Sequence, residues 1–178
     1  MLRLAGGIMI LSGTVGLGIW YRNRFYERVE ILGRLIEIID LFLSEINFSN
    51  ATMPECCARI GIRLSAGNAA DRRLGASLIK VHELMSGSDG VSFDKAFGRT
   101  MGECLKEFVL EAGDIEKFLK LSGTGGYSDG QMQLKALEKI RYDLSDTASS
   151  LKSEVENRGR IAVGLGAMGG LLLVIVLL

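Results

Sequence analysis

The chain has 178 residues, which is enough for one domain plus membrane segments, and its 21 Lys and Arg residues balance its 21 Asp and Glu residues. This neutral balance argues against nucleic-acid binding, which needs a basic surface. Three cysteines, an odd number with an adjacent pair, argue against a disulfide framework. We therefore expect Cys56, Cys57 and Cys104 to be reduced, small buried hydrophobic residues.

The first apolar run, Leu4–Trp20, carries no charge. Because Arg3 precedes it, the run could be the hydrophobic part of a signal peptide. However, Trp20 and Tyr21 form an aromatic pair typical of a membrane interface, and arginines follow where a small-residue cleavage site would be expected. We therefore predict a retained transmembrane helix over residues 1–21.

The next segment, Glu27–Phe48, has apolar residues at three- and four-residue steps and is predicted to continue this helix. Its predicted apolar stripe comprises Val29, Leu32, Ile36, Ile39 and Leu43. After a break at residues 49–51, Thr52 and Glu55 have the spacing of a capping box. They predict a second helix that runs to about Leu64.

Three shorter helices follow. The third is predicted over Ala69–Met85, after a stop at Gly67-Asn68. Its apolar stripe comprises Leu74, Leu78, Val81 and Met85. Ser92 is a suitable cap for a fourth helix, which we expect to end near Val109. A short fifth helix is predicted over Ile115–Leu121.

A glycine-rich segment, Ser122–Tyr127, then predicts a tight corner with positive φ. Ser128 and Gln131 have capping-box spacing at the start of a sixth helix. No proline interrupts the chain from there to the uncharged run Ile161–Leu178. At 1.5 Å per residue this run is about 27 Å long, close to the thickness of a bilayer core. We predict a transmembrane helix over residues 161–178.

The sequence contains no alternation long enough to form a strand, which favours an all-α fold. We predict a cytoplasmic bundle of about six helices over residues 22–160, with the two transmembrane helices continuing from it. Arg22 and Arg24 follow the first apolar run, and Arg158 and Arg160 precede the second. The positive-inside rule therefore places the bundle in the cytoplasm.

Candidate catalytic groups are scarce. His82 is the single histidine and has no second His or Cys at ligand spacing, so we expect a surface or hydrogen-bonded histidine. The cluster Gly123–Gly126 lacks the Gly-Lys-Ser/Thr ending of a phosphate-binding loop, and no strand precedes it. We therefore favour a helix corner over a nucleotide site, and expect no enzyme activity, metal, cofactor or small-molecule substrate.

Small residues recur at four-residue spacing in both apolar runs. They include Gly166 and Gly170 in the second run, and Ser12, Gly16, Thr14 and Gly18 in the first. This spacing lets helix backbones approach closely in lipid and predicts packing between the two spans or with another membrane protein. The alternative is that glycine is simply common in membrane helices.

The segment Ser122–Asp129, followed by Gln133, resembles the turn before the last long helix in the stage III sporulation protein AB family. The residues assigned to this structural turn motif are Gly123, Gly126, Asp129 and Gln133. Gly125 stands where the family usually has leucine, so we expect the turn to pack differently here.

The resemblance implies a membrane protein on the mother-cell side of the outer forespore membrane, in an endospore-forming bacterium. It would be an assembly component of the channel between mother cell and forespore. The family's soluble domain is similar to the cytoplasmic domain of the type II secretion platform protein, which implies docking of a secretion-type ATPase, the AA protein, and contact with other membrane subunits. The alternative function is a membrane-tethered regulatory or signalling module that binds a soluble effector.

Three glutamates, Glu103, Glu107 and Glu111, recur at four-residue steps. They form one acidic stripe if the fourth helix extends that far. Such a stripe is either a solvated face or a docking surface for a basic patch on the ATPase.

Overall fold

The computed structural model describes the backbone of residues 2–87, 90–126 and 130–177, and the side chains of 23–87, 90–126 and 130–154. Over these residues the chain forms α-helices and one 3-10 helix and contains no strand, which confirms the all-α prediction. In chain order these are α1 (Leu2–Ser49), α2 (Met53–Leu64), α3 (Ala69–Ser86), α4 (Phe93–Leu105), α5 (Ala112–Leu119), the 3-10 helix (Lys120–Gly126) and α6 (Gly130–Leu177).

The chain divides into two compact units. Glu30–Ala148 form one unit, and the residues up to Val29 together with those from Ser149 onward form the other. Within the described part of the chain, no helix has a stretch long and apolar enough to cross a membrane. The predicted spans, residues 1–21 and 161–178, lie outside the described side chains, and so do the small residues Ser12, Gly16, Gly166 and Gly170. The domain boundaries drawn from these spans stay predictions.

The buried face of α1 is only partly the predicted one. Leu32 and Ile39 are buried, but Val29, Ile36 and Leu43 are only half-buried. The buried residues of this helix are Ile31, Leu32, Leu35, Ile38, Ile39, Phe42 and Ile46. The segment carries apolar residues on more than one face, so periodicity alone did not identify the face that packs against the bundle.

Local capping signals start α2 and α3 where the sequence predicts. The backbone N–H of Thr52 donates to Oε2 of Glu55 at 2.8 Å, and its hydroxyl donates to the same oxygen at 2.9 Å. At the start of α3, the backbone N–H of Asp71 donates to Oδ1 of Asn68 at 2.9 Å. A helix leaves its first backbone N–H groups without an intrahelical partner. The two N–H bonds satisfy such groups, and the hydroxyl bond of Thr52 holds the Glu55 carboxylate in place.

Two glycines bring α2 and α3 together. A Cβ added at Gly61 would lie 2.7 Å from the carbonyl oxygen of Gly75, and a Cβ added at Gly75 would lie 2.7 Å from the carbonyl oxygen of Gly61. Ile79 closes the contact, since its Cγ1 would lie 2.6 Å from the added Cβ at Gly61. Any larger side chain at either glycine must therefore push the helices apart.

The predicted apolar stripe of α3 faces the core, and so does an apolar stripe of α4. Leu74, Leu78 and Val81 of α3 are fully buried, while Met85 is half-buried. The buried stripe of α4 includes Phe93, Phe97, Met101 and Leu105. The ring of Phe97 lies 5.3 Å from that of Phe93 and 5.9 Å from that of Phe118 on α5. This aromatic cluster connects α4 to α5, and α5 leads directly into the 3-10 helix.

Candidate functional site

Residues 122–126 of the glycine-rich segment lie in the 3-10 helix, and the prediction of positive φ is wrong for them. Among the described residues, positive φ occurs at Asn50 (47°) and Gly90 (58°). A 3-10 helix keeps φ near the ordinary helical value, so residues 120–126 need no left-handed residue. The buried hydroxyl of Thr124 donates to the carbonyl oxygen of Leu121 at 2.8 Å and closes one turn of this helix.

Contacts with α4 and α6 hold the 3-10 helix in place. The hydroxyl of Ser122 donates to Oδ1 of Asp94 on α4. Nε2 of Gln133 on α6 donates to the carbonyl oxygen of Thr124 at 3.2 Å, so this residue of the turn motif contacts the glycine-rich segment. Asp129, assigned to the same motif, lies outside the described residues, as does the predicted cap Ser128.

An open groove of about 290 Å³ lies between the 3-10 helix and α6. Its buried lining residues are Thr124 and Ile140, with the half-buried Ala136 beside them. Gly123 contributes backbone alone, because it has no side chain to fill the space. We name this feature the 3-10 groove.

Three charged residues line the 3-10 groove: Lys120, Lys139 and Asp143. Both lysines are exposed and the aspartate is half-buried. Within the part of the chain that the structure describes, none of the three makes an ion pair. The groove therefore presents two cations and one carboxylate whose charges are not neutralised by neighbouring side chains.

Two nearby cations, Lys117 and Arg141, are engaged, in contrast. Nζ of Lys117 on α5 donates to Oγ1 of Thr147 at 2.7 Å. Arg141 on α6 forms an ion pair with Asp40 on α1. These contacts join α5 and α1 to α6. They do not involve Lys120 or Lys139, which therefore stay available to a ligand.

The predicted acidic stripe does not exist as one helical face. α4 ends at Leu105, where the backbone turns and the N–H of Glu107 donates to the carbonyl oxygen of Cys104 at 3.1 Å. Glu111 caps the N-terminus of α5. Only Glu103 is helical, and it pairs with Arg99 at 3.5 Å.

Glu107 is also paired with a cation, because Nη1 of Arg73 on α3 lies 3.5 Å from its Oε2. Both side chains are more than half exposed, at 61% and 62%, so this pair contributes little to stability. The three glutamates therefore differ in local structure and in partner, and their role in docking the ATPase stays a prediction.

The cysteines and the histidine take structural positions. All three cysteines are buried and free, as predicted. Burial raises the pKa of Cys56 to about 12, and also raises the pKa of Cys57 and Cys104. Nδ1 of His82 lies 3.0 Å from the carbonyl oxygen of Pro54. Among the described residues, no cluster of His, Cys, Asp or Glu has the geometry of a metal site.

The sequence as a whole matches the family model described as stage III sporulation protein AB, over residues 3–178. The chain belongs to this family. Family membership gives the chain a role in stage III of sporulation. Neither the curated proteins nor the solved structures contain a significant match to it.

The packing at Gly125 shows what a side chain at this position of the turn would meet. A Cβ at Gly125 would lie 2.5 Å from Cδ1 of Phe93. The Phe93 ring thus occupies the space beside residue 125. Gly123 and Gly126, in contrast, have no atom within 4 Å of an added Cβ.

Proposed function

We propose that this chain is a membrane-anchored structural component of the channel between mother cell and forespore. The observation that carries the proposal is membership of the stage III sporulation protein AB family over the whole chain. The helical fold supports it, because α1 and α6 are each 48 residues long and include the uncharged terminal runs. At 1.5 Å per residue each helix is about 72 Å long, more than twice the ~30 Å of a bilayer core.

In this role the unit Glu30–Ala148 is cytoplasmic and binds partners rather than reacting with a substrate. The arginines that flank both apolar runs, Arg22, Arg24, Arg158 and Arg160, support this orientation. We propose that the helical unit docks the cytoplasmic AA ATPase of the same channel, by analogy with the type II secretion platform protein, and contacts other membrane subunits.

Topology is tested by cysteine labelling in intact cells. Ser88→Cys and a cysteine appended after Leu178 should react from opposite sides of the membrane. The three native cysteines give little background, because they are buried and burial raises their pKa. The unsubstituted chain is the control for that background. Labelling of both introduced thiols by a membrane-impermeant reagent would contradict the proposed orientation.

Copurification tests the channel role. The tagged full-length chain, solubilised from sporulating cells, should bring down a secretion-type ATPase and several membrane subunits. A tagged, unrelated mother-cell membrane protein is the control for non-specific capture. Recovery of a soluble effector without an ATPase or membrane subunits would support the alternative, a membrane-tethered regulatory module.

A further inference from the structure

We propose that the 3-10 groove binds a carboxylate-bearing segment of a partner polypeptide, with Lys120 and Lys139 as its anion-binding residues. The partner that supplies this segment within the channel is a separate question, because the groove can be tested on its own.

The charges of the groove favour an acidic ligand. Lys120 and Lys139 line the same groove from two different elements, the 3-10 helix and α6. Neither lysine has an ion-pair partner among the described residues, whereas the nearby Lys117 and Arg141 are engaged by Thr147 and Asp40. A carboxylate in the groove would gain a charge-assisted hydrogen bond from each lysine that reaches it.

The lining beneath these charges suits part of a peptide. Ile140 and Ala136 provide apolar surface, and at about 290 Å³ the groove lies just below the usual range for sites that enclose a small molecule. An open groove of this size accommodates one or two side chains of a docked segment. The half-buried Asp143 adds an acceptor for a backbone N–H or a cationic side chain of the same segment.

The wall of the groove is fixed before a ligand arrives. Thr124 is held by its own hydroxyl bond to Leu121 and by the bond from Gln133 to its carbonyl oxygen. Because these bonds already order the 3-10 helix, binding does not have to order it. Gln133 is thus a positioning residue for the groove.

A polyphosphate or nucleotide fits the same surface less well. Asp143 places a negative charge in the lining, which repels a polyanion. Among the described residues, no aromatic side chain lines the groove to stack on a base. These two features distinguish a peptide carboxylate, with its single charge and adjacent N–H groups, from a phosphate ligand.

The test uses the purified full-length chain in a non-ionic detergent and a fluorescein-labelled, C-terminally amidated hexapeptide that carries one glutamate among alanines, at low ionic strength, with binding followed by fluorescence anisotropy. The double variant Lys120→Gln/Lys139→Gln should bind about tenfold more weakly, as expected for the loss of two exposed ion pairs. Asp143→Asn should bind about threefold more tightly, because a like charge has been removed from the groove.

The control is the double variant Lys80→Gln/Lys106→Gln, which removes the same charge from exposed lysines outside the groove. It should stay within about twofold of the parent, since only long-range, screened electrostatics are altered. Circular dichroism and the melting temperature should show that all variants are folded.

Three results would overturn the proposal. One is the absence of binding of the single-glutamate peptide to the folded parent. Another is an equal loss of affinity in both lysine double variants, which would assign binding to net charge. The third is displacement of the peptide by inorganic phosphate at concentrations too low to change the ionic strength, which would assign the groove to phosphate. None of these results bears on channel membership, which copurification measures independently.

Discussion

Glycine has different roles at the α2–α3 crossing and in the 3-10 helix. At the crossing, Gly61 and Gly75 are isolated in sequence, yet each lies against the other's backbone. In the 3-10 helix three glycines fall within four residues, and of these Gly125 alone has a close neighbour. Most glycines of the cluster thus have free space for an added Cβ, while the Gly61–Gly75 pair sets the distance between α2 and α3. Glycine density therefore does not indicate where the fold requires glycine.

The largest effect is expected at the crossing. In Gly75→Ala the new Cβ would lie 2.7 Å from the Gly61 carbonyl oxygen and 3.0 Å from Cβ of Leu64. The helices must move apart, and overpacking of this kind costs roughly 1–3 kcal/mol. We expect the free energy of unfolding to fall by about 2 kcal/mol, measured by denaturant titration with circular dichroism.

Gly98→Ala on α4 is the matched control, since nothing lies within 4 Å of an added Cβ there. Alanine in a helix interior is favoured over glycine by up to about 1 kcal/mol, so this variant should be more stable than the parent. Thiol labelling gives a local measure: Cys56 and Cys57 on α2 should react faster in Gly75→Ala. Equal stability and equal thiol reactivity of Gly75→Ala and the parent would show that the crossing adapts without cost.

A smaller loss is expected for Gly125→Ala. Its Cβ would meet Cδ1 of Phe93 at 2.5 Å and Cγ at 3.0 Å, and the ring is held in the aromatic cluster with Phe97. Since the contact is with one side chain rather than a backbone, we expect a loss of about 1 kcal/mol.

A double-mutant cycle with Phe93→Leu isolates this contact. Leucine at residue 93 lacks the ring atoms that collide, so Gly125→Ala should cost less in that background. If the changes in the free energy of unfolding simply add, the contact with Phe93 is not the reason for glycine at residue 125.

Gly123→Ala should be close to neutral. Its φ is not positive and no atom lies within 4 Å of an added Cβ. We expect a change within about 0.5 kcal/mol, in thermal unfolding of the same chain. A loss comparable to that of Gly75→Ala would restore the idea, drawn from the sequence, that this corner depends on glycine at residue 123.

These differences show which parts of the molecule local sequence could predict. The caps at Thr52 and Asn68 depend on residues three positions apart, so their spacing is visible in the sequence. The end of α4 was missed because no Gly or Pro marks it, and the error produced the acidic stripe. The 3-10 groove was missed because Lys120 and Lys139 lie far apart in sequence and line one groove only when α6 packs beside the 3-10 helix.

The dependence of stability on pH again separates α2 from the 3-10 helix. The backbone N–H and the hydroxyl of Thr52 lower the pKa of Glu55 below its ordinary value of 4.5. A carboxyl with a lowered pKa in the folded state stabilises the fold above its unfolded pKa, and this contribution disappears as the pH falls through the folded value. The stability difference between the parent and Glu55→Gln should therefore shrink as the pH falls from 7 to below 4.5.

The corresponding bond in the 3-10 helix, from the Thr124 hydroxyl to Leu121, contains no titrating group. Thr124→Val should thus destabilise the chain by about 1 kcal/mol at every pH in this range. Unfolding curves of the three proteins, recorded at half-unit pH intervals, test both expectations, and a pH-independent difference for Glu55→Gln would contradict the role of the ionised carboxylate in the cap.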